Sequence, residues 1–254
     1  MASLHDRDVL LSEQKRNSVL SLAEVQDYGR DRYGDPEYVS IYGLRPTVWH
    51  ARGIRLLART AVECTRDRLA DRIGSDIAEL VQAAPTGSAT VLVDPFAGSC
   101  NTLFWIKRHS GARISIGFEI DDAVFDTTRT NLSIIDADIT LMHGGYEAGL
   151  PTIAVPNDGL PTVFVAPPWG DALSRAGSLD LRRTNPPVVD VRDFVAATFP
   201  RHRVLIATQV YETVVPASLA DVTSRCDWSA LKTYDVNARG QNHGVLLTTH
   251  GWTP

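Results

Sequence analysis

The sequence predicts an α/β fold: a mostly parallel sheet covered on both faces by helices, closed by an antiparallel hairpin and preceded by a helical extension. Three observations predict it. From residue 89 onward, short apolar runs of β type alternate with helical stretches, the pattern of βα units in a parallel sheet. Two of these runs, Val91-Leu-Val-Asp-Pro-Phe-Ala-Gly-Ser-Cys-Asn-Thr102 and Pro161-Thr-Val-Phe-Val-Ala-Pro-Pro-Trp-Gly170, stop abruptly at turns. Such strand ends are where ligands bind in open α/β sheets. Before residue 85, apolar residues recur at helical rather than alternating spacing.

Taken in order, residues 1 to 30 carry Val9, Leu10, Leu11, Val19, Leu20, Leu22 and Val25 among many charges, which predicts one or two short amphipathic helices. Tyr28 to Tyr42, aromatic and charged, reads as a loop or lid. Pro46 suits a first helical turn, where its missing N–H has no partner to lose. Helical spacing then runs from Thr47 to Ala83, with a break and a fresh N-cap expected at Gly74-Ser75-Asp76. Pro85 to Ser88 reads as a connector. Strands are predicted at 89–94, 113–119, 138–142, 162–166 and 203–209, and helices at 98–109, 121–134, 190–199 and 219–226. Two last apolar runs, 231–236 and 244–249, flank the polar turn 237–242 and predict the closing hairpin. This divides the chain into a helical extension and lid, 1–85, and a ligand-binding domain, 86–254.

The chain has 254 residues, 44% hydrophobic and 22% charged, the composition of a globular domain with an extension. No apolar run approaches the roughly 18 residues of a membrane span, and the first residues lack a signal-peptide pattern. A cytoplasmic location without membrane association is the expectation. The three cysteines, Cys64, Cys100 and Cys226, are widely spaced, which disfavours a disulfide framework or a zinc site. No metal is expected. Cys100, inside the first turn, is expected to line the cleft. The formal net charge of −5 argues against a broad basic surface for long nucleic acids. The arginines between Arg45 and Arg72 read as the solvated face of a helix, with a phosphate-binding patch as the alternative.

The chemistry resides in three stretches. In Asp94-Pro-Phe-Ala-Gly98, the glycine lets a ligand approach the backbone, and the following helix N-terminus favours a carboxylate. Asp94 is placed to bind an amino group, or simply to cap the turn. Only one glycine lies here, so this is not a dinucleotide turn. Glu119 ends the next strand, about 25 residues on, where an acid accepts hydrogen bonds from ribose hydroxyls. In the third stretch, two consecutive prolines hold the chain extended, leaving the carbonyls of Ala166 and Pro167 as acceptors. Trp169 offers a stacking face for a planar ring, worth about 1–3 kcal/mol for a nucleobase. The blander reading makes Trp169 core filler in a rigid turn.

These residues resemble the class I methyltransferases that use S-adenosylmethionine, in particular the cap trimethylguanosine synthase and guanine-N2 methyltransferase type. Cys100-Asn-Thr102 is similar to that type's Gly-Asn-Thr, Pro167–Gly170 to its Pro-Pro-Trp-Gly, and Leu44–Thr47 faintly to its Thr-Pro element. The resemblance covers 91–170 and implies a Rossmann-like sheet with S-adenosylmethionine as cofactor and S-adenosylhomocysteine as product. It implies that Asp94, Phe96, Ala97, Gly98, Asn101 and Thr102 surround the methionine moiety, Glu119 the ribose, and Ile120 the adenine, with Tyr146 stacking beside it. It implies that Ala166, Pro167 and Trp169 position the acceptor. Trp49, Tyr42 and Asp171 are further candidates for acceptor contact, and His50 for a catalytic base. The sequence departs from the type at Gly98-Ser-Cys100, at the His143-Gly-Gly-Tyr146 run, and at Ala166, where Asp, Asn or Ser would supply a side-chain acceptor.

The expected function is methyl transfer to a small planar or nucleotide-like acceptor, at nitrogen, by direct displacement. In such a reaction positioning supplies much of the rate. Three alternatives stay open: an RNA or DNA base N-methyltransferase, a C-methyltransferase of a natural-product intermediate, and an inactive methyltransferase-like binding subunit.

Overall fold

The computed structural model describes residues 7–84, 90–174, 176–236 and 243–254. The connector at 85–88, Ala89, Arg175 and the hairpin turn at 237–242 lie outside the described residues.

The extension holds helices α1 (Arg7–Leu10), α2 (Leu22–Tyr33), α3 (Pro46–Ala51), α4 (Ala58–Glu63) and α5 (Asp67–Ala83). A capping box starts α2: the Ser21 hydroxyl accepts from the Glu24 N–H, and the Glu24 carboxylate accepts from the Ser21 N–H. This helix buries Val25 and Tyr28 and ends at Gly34, so the stretch from Tyr28 to Tyr33, expected as loop, is helical. Pro46 opens α3 as expected.

The break expected at Gly74-Ser75-Asp76 is not there; α5 runs through it. Gly74 serves packing instead. It lies where α5 meets the helix after the first strand, and a Cβ on it would sit 2.9 Å from the Trp105 carbonyl oxygen and from His109 Cδ2. Asp76 caps nothing; its carboxylate takes Lys232 Nζ at 2.7 Å and the Tyr234 hydroxyl. The breaks fall earlier, at Gly53, where φ is +90°, and between Cys64 and Arg66.

From Thr90 the predicted alternation holds: β1 (Thr90–Asp94), α6 (Asn101–Ser110), β2 (Ile114–Glu119), α7 (Asp122–Ile134), β3 (Thr140–His143), α8 (Tyr146–Gly149), β4 (Leu160–Val165), α9 (Val188–Thr198), β5 (Val204–Tyr211), α10 (Pro216–Thr223), β6 (Trp228–Tyr234) and β7 (His243–His250). Helix α6 begins at Asn101 rather than Gly98 because Gly98 and Cys100 both have left-handed backbones, with φ of +50° and +57°. A right-handed helix has no place for them.

Among the described residues the strands form one sheet in the order β3-β2-β1-β4-β5-β7-β6. The first five are mutually parallel; β7 pairs antiparallel with both β5 and β6. This is a mostly parallel Rossmann-like sheet closed by an antiparallel hairpin.

Strand alternation divides the core. Leu92, Phe164, Leu205, Ala207, Val245 and Leu247 face one side, where they share a buried cluster with α5, α6 and the extension residues Leu10, Val25, Ile41 and Trp49. Val91, Val93, Val163, Val165, Val204 and Ile206 face the other side, against α8 and α9. The extension is thus a packed part of one helical layer. No helix among the described residues is long and apolar enough to cross a membrane.

Candidate active site

Chain order reverses between β2-β1 and β4-β5, so the switch point lies at the carboxyl ends of β1 and β4. Register brings the predicted turns there. Asp94 pairs with Gly117, Glu119 with His143, Val165 with Thr208.

Asp94 ends a fully buried strand and accepts a hydrogen bond from the Phe96 N–H at 2.9 Å. Burial, with the neighbouring Glu119 adding to it, pushes its carboxyl up to about 7. Glu119 is fixed by two backbone donors: Gly98 N–H to Oε2 at 3.0 Å and Asp121 N–H to Oε1 at 2.8 Å. Burial raises its pKa as well. A carboxylate offers about four lone-pair sites, so capacity for two more donors remains. The Ala97 N–H donates to the Phe118 carbonyl at 2.9 Å, which binds the β1–α6 turn to β2. Gly98 holds its left-handed turn with open space around its α-carbon, the nearest atom to an added Cβ being the Phe96 oxygen at 3.9 Å.

The extension braces this pair. Arg59 reaches Asp121 Oδ2 at 2.6 Å, behind Glu119. Asn101 accepts the Tyr42 N–H through Oδ1 at 2.7 Å and donates through Nδ2 to the Thr65 carbonyl at 2.7 Å. Tyr42, buried and left-handed, donates its hydroxyl to the Ser99 carbonyl. Asn101 and Tyr42 thus tie α6 to the extension. Thr102 is buried at the start of α6, and Ala97 is buried under the turn.

Other predicted residues are placed differently. Cys100, expected to line the cleft, is fully buried in the core; the left-handed turn points it inward beside β2. Burial raises its thiol pKa well above the ordinary value. Trp49 is also fully buried, and its Nε1–H donates to the Val39 carbonyl at 3.0 Å, so it belongs to the packing of the extension. Tyr146 packs edge-to-face with Phe96 at 5.3 Å and Phe194 at 5.5 Å, closing the core below the turn. Ile120 is 75% exposed at the rim beside Glu119. His50 sits on α3, where its carbonyl accepts from Arg55. Burial and the Arg55 charge lower its imidazole pKa.

At the end of β4, Pro167 is buried and Trp169 half-buried, with Asp171 exposed on the 3₁₀ turn that follows. The Trp169 ring lies parallel to His243 at 5.7 Å and edge-on to Tyr211 at 6.1 Å. His243 and Tyr211 are paired residues of β7 and β5, so the strand ends place all three rings together. The sequence reading missed both partners. Tyr211 lies two residues past the predicted strand, and nothing local marks His243.

The arginines from 45 to 72 do not form one surface. Arg59 is engaged with Asp121 and Glu63, Arg55 donates to the carbonyls of His50 and Ile54, and Arg66 lies over the stacked rings of Tyr33 and Tyr38. Among the described residues no group of three or more His, Cys, Asp or Glu side chains is placed to hold a metal ion.

This topology, with its acidic strand ends at the switch point, is the Rossmann-like class I methyltransferase fold. Solved structures with the same architecture include the delta-N METTL16 MTase domain, at TM-score 0.54 and 12% identity, covering 97% of this chain and 98% of that one. The human methyltransferase 10 domain containing protein matches at TM-score 0.52 and 11% identity, covering 97% and 99%. At such identities the likeness is one of fold. No family profile and no curated protein matches the sequence.

Proposed function

We propose that this protein transfers a methyl group from S-adenosylmethionine to a nitrogen of a small planar or nucleotide-like acceptor. The observation that carries the reading is the pair of carboxylates at the ends of β1 and β2, Asp94 buried and Glu119 half-buried, with Glu119 held by the Gly98 and Asp121 N–H groups. The residues present fit the cofactor. Asp94, buried and without a cationic partner among the described residues, is suited to an ammonium group. Glu119 keeps acceptor capacity for two ribose hydroxyls, and Gly98 leaves room for close approach. Two carboxylates side by side also favour a cationic sulfonium over its neutral product. When bound, the cofactor supplies an activated methyl group.

This chain's own residues then align and shield. Trp169 and Pro167 hold the acceptor ring, and the carbonyls of Ala166 and Pro167 accept from its amino group in place of a side chain. This arrangement suits a weakly basic amine, which loses its proton after attack, and makes His50 dispensable. Residues 1–85 serve as extension and lid, with Tyr42 bracing the turn, and the cytoplasm is the expected location. The likeness of Pro167–Gly170 to the guanine-N2 type supports a nucleotide-like acceptor, and the likeness of the fold to methyltransferase domains supports methyl transfer. The test is incubation with labelled methyl donor and a panel of nucleosides, nucleotides and short oligonucleotides. Labelled product that disappears with Trp169→Ala supports the reading; labelling of carbon or oxygen acceptors alone contradicts it.

A further inference from the structure

Arg66 follows α4 and caps it from outside. Its Nη2 donates to the carbonyls of Ala61 at 3.1 Å and Val62 at 3.3 Å. Its Nε is shielded from solvent and has no hydrogen-bond partner. Among the described residues no carboxylate lies within ion-pairing distance of it; the adjacent Asp67 is engaged with the Gly43 N–H and Trp105 Nε1. The guanidinium lies 4.7 Å from the Tyr33 ring and 5.4 Å from the Tyr38 ring, which stack on each other at 3.9 Å. Ring faces and helix-end carbonyls offset part of the cost of burying this charge. They leave its Nε–H unused and its charge without a counter-ion.

The second half of the feature is His243. Its Nδ1 is likewise shielded and unpartnered. Burial, and then the charge of Arg66, hold the imidazole down at about 4, so it is neutral at physiological pH. The ring stacks on Trp169, and Tyr211 meets it edge-on at 5.5 Å. Register carries the two residues to one edge, the acceptor end of the strands: Gln209 pairs with Val245, two residues along β7 from His243, and is bonded by the residue beside Arg66. Thr65, next to Arg66, reaches the same edge by donating to Gln209 of β5 at 2.6 Å.

We propose that Arg66 and His243, beside the Trp169 platform, form an oxyanion subsite that holds a phosphate or carboxylate group of the methyl acceptor. The inference rests on the methyl-transfer reading for the word acceptor, and on the unpaired, half-buried guanidinium with its shielded Nε for the subsite itself. An oxyanion accepts the Arg66 Nε–H, neutralises the guanidinium, and accepts from Nδ1–H in the tautomer it selects. Such contacts are charge-assisted and are stronger in a shielded site than at the surface. Because both nitrogens are covered, side-chain rotation accompanies binding. The subsite explains why Arg66 needs no carboxylate partner of its own.

The test uses the full chain with ¹⁵N-labelled histidine, titrated with inorganic phosphate and with benzoate, against chloride at equal ionic strength. His243→Phe, which keeps the ring stack, assigns the His243 signals. The expected result is a saturable shift of the His243 ring nitrogens by phosphate, benzoate or both, and not by chloride; which of the two acts identifies the anion. Arg66→Met weakens binding by about tenfold or more, Arg66→Lys by less, and Arg68→Met by under about twofold, since Arg68 is exposed. Absence of a saturable shift, equal response to chloride, or binding unchanged in Arg66→Lys and Arg66→Met overturns the proposal. If Arg66→Met fails to fold, the wild-type comparison of anions and the Lys variant decide. Calorimetry with S-adenosylhomocysteine separates the two readings. Cofactor binding without an oxyanion response overturns the subsite alone; an oxyanion response without cofactor binding overturns its role in methyl transfer.

Discussion

The Asn101 carboxamide accepts the Tyr42 N–H at 2.7 Å and, through its other end, donates to the Thr65 carbonyl at 2.7 Å. One side chain at the start of α6 therefore fastens two separate segments of the extension to the turn that follows β1. Tyr42 and Asn101 are buried and Thr65 half-buried, so removing the carboxamide leaves a buried donor and a half-buried acceptor unpaired. Asn101→Ala is expected to destabilise the protein by about 2–4 kcal/mol, roughly 1–3 kcal/mol for the buried donor and a smaller share for the half-buried acceptor. Urea denaturation measures this; an unchanged midpoint contradicts the clamp.

Asp94 gives a prediction with a definite sign. Its carboxyl, ordinarily near 3.8, is pushed up to about 7 by burial. Between those values the folded chain keeps a proton that the unfolded chain has released, so stability falls as pH rises through this window. Asp94→Asn removes the effect. It is expected to leave stability unchanged near pH 4 and to raise it by a few kcal/mol, at about 1.4 kcal/mol per pH unit, by pH 7 and above. Cofactor binding runs the other way: an ammonium group requires the ionised carboxylate, so wild-type affinity rises towards pH 7 and the Asn variant binds weakly throughout. Thermal unfolding and cofactor titration across pH 4 to 8 check both. A variant that is less stable at pH 8 contradicts the account.

Trp169 makes its ring contacts with His243 and Tyr211, away from the Asp94–Glu119 pair. Trp169→Ala is therefore expected to raise KM for the acceptor by about tenfold or more, the loss of one stacked ring, while cofactor affinity stays within twofold. Equal loss of both contradicts the assignment.

Gly74 sits at the α5–α6 contact with no room for a methyl group. Gly74→Ala gains helix propensity of about 1 kcal/mol but forces the helices apart, at about 1–3 kcal/mol of overpacking. Lowered thermal stability is expected; a stabilised variant contradicts the packing role.

Much of this was legible in the sequence because it is local. A strand that stops at an acid, a glycine turn, and a strand that stops at Pro-Pro-Trp are each written in under a dozen residues, and parallel pairing carries all of them to one edge. The alternation of Val91, Leu92 and Val93 between two cores follows from the strand period alone. What escaped depends on contacts far apart in the chain. Gly74 reads as a helix breaker until α6 crosses it. Arg66 looks like one more solvated arginine until Tyr33 and Tyr38 cover it. Cys100 and Trp49 look available until the turn and the extension bury them, and His243 gains meaning only through its register with Tyr211.

The central claim is that the Asp94–Glu119 edge binds S-adenosylmethionine, and calorimetric titration with S-adenosylmethionine and S-adenosylhomocysteine tests it most directly, on wild type, Glu119→Gln and Glu119→Ala. The account predicts saturable binding by wild type, weakening in the Gln variant, which keeps one acceptor oxygen, and loss in the Ala variant. Absence of binding by the folded wild-type protein, or equal binding by all three, would contradict it.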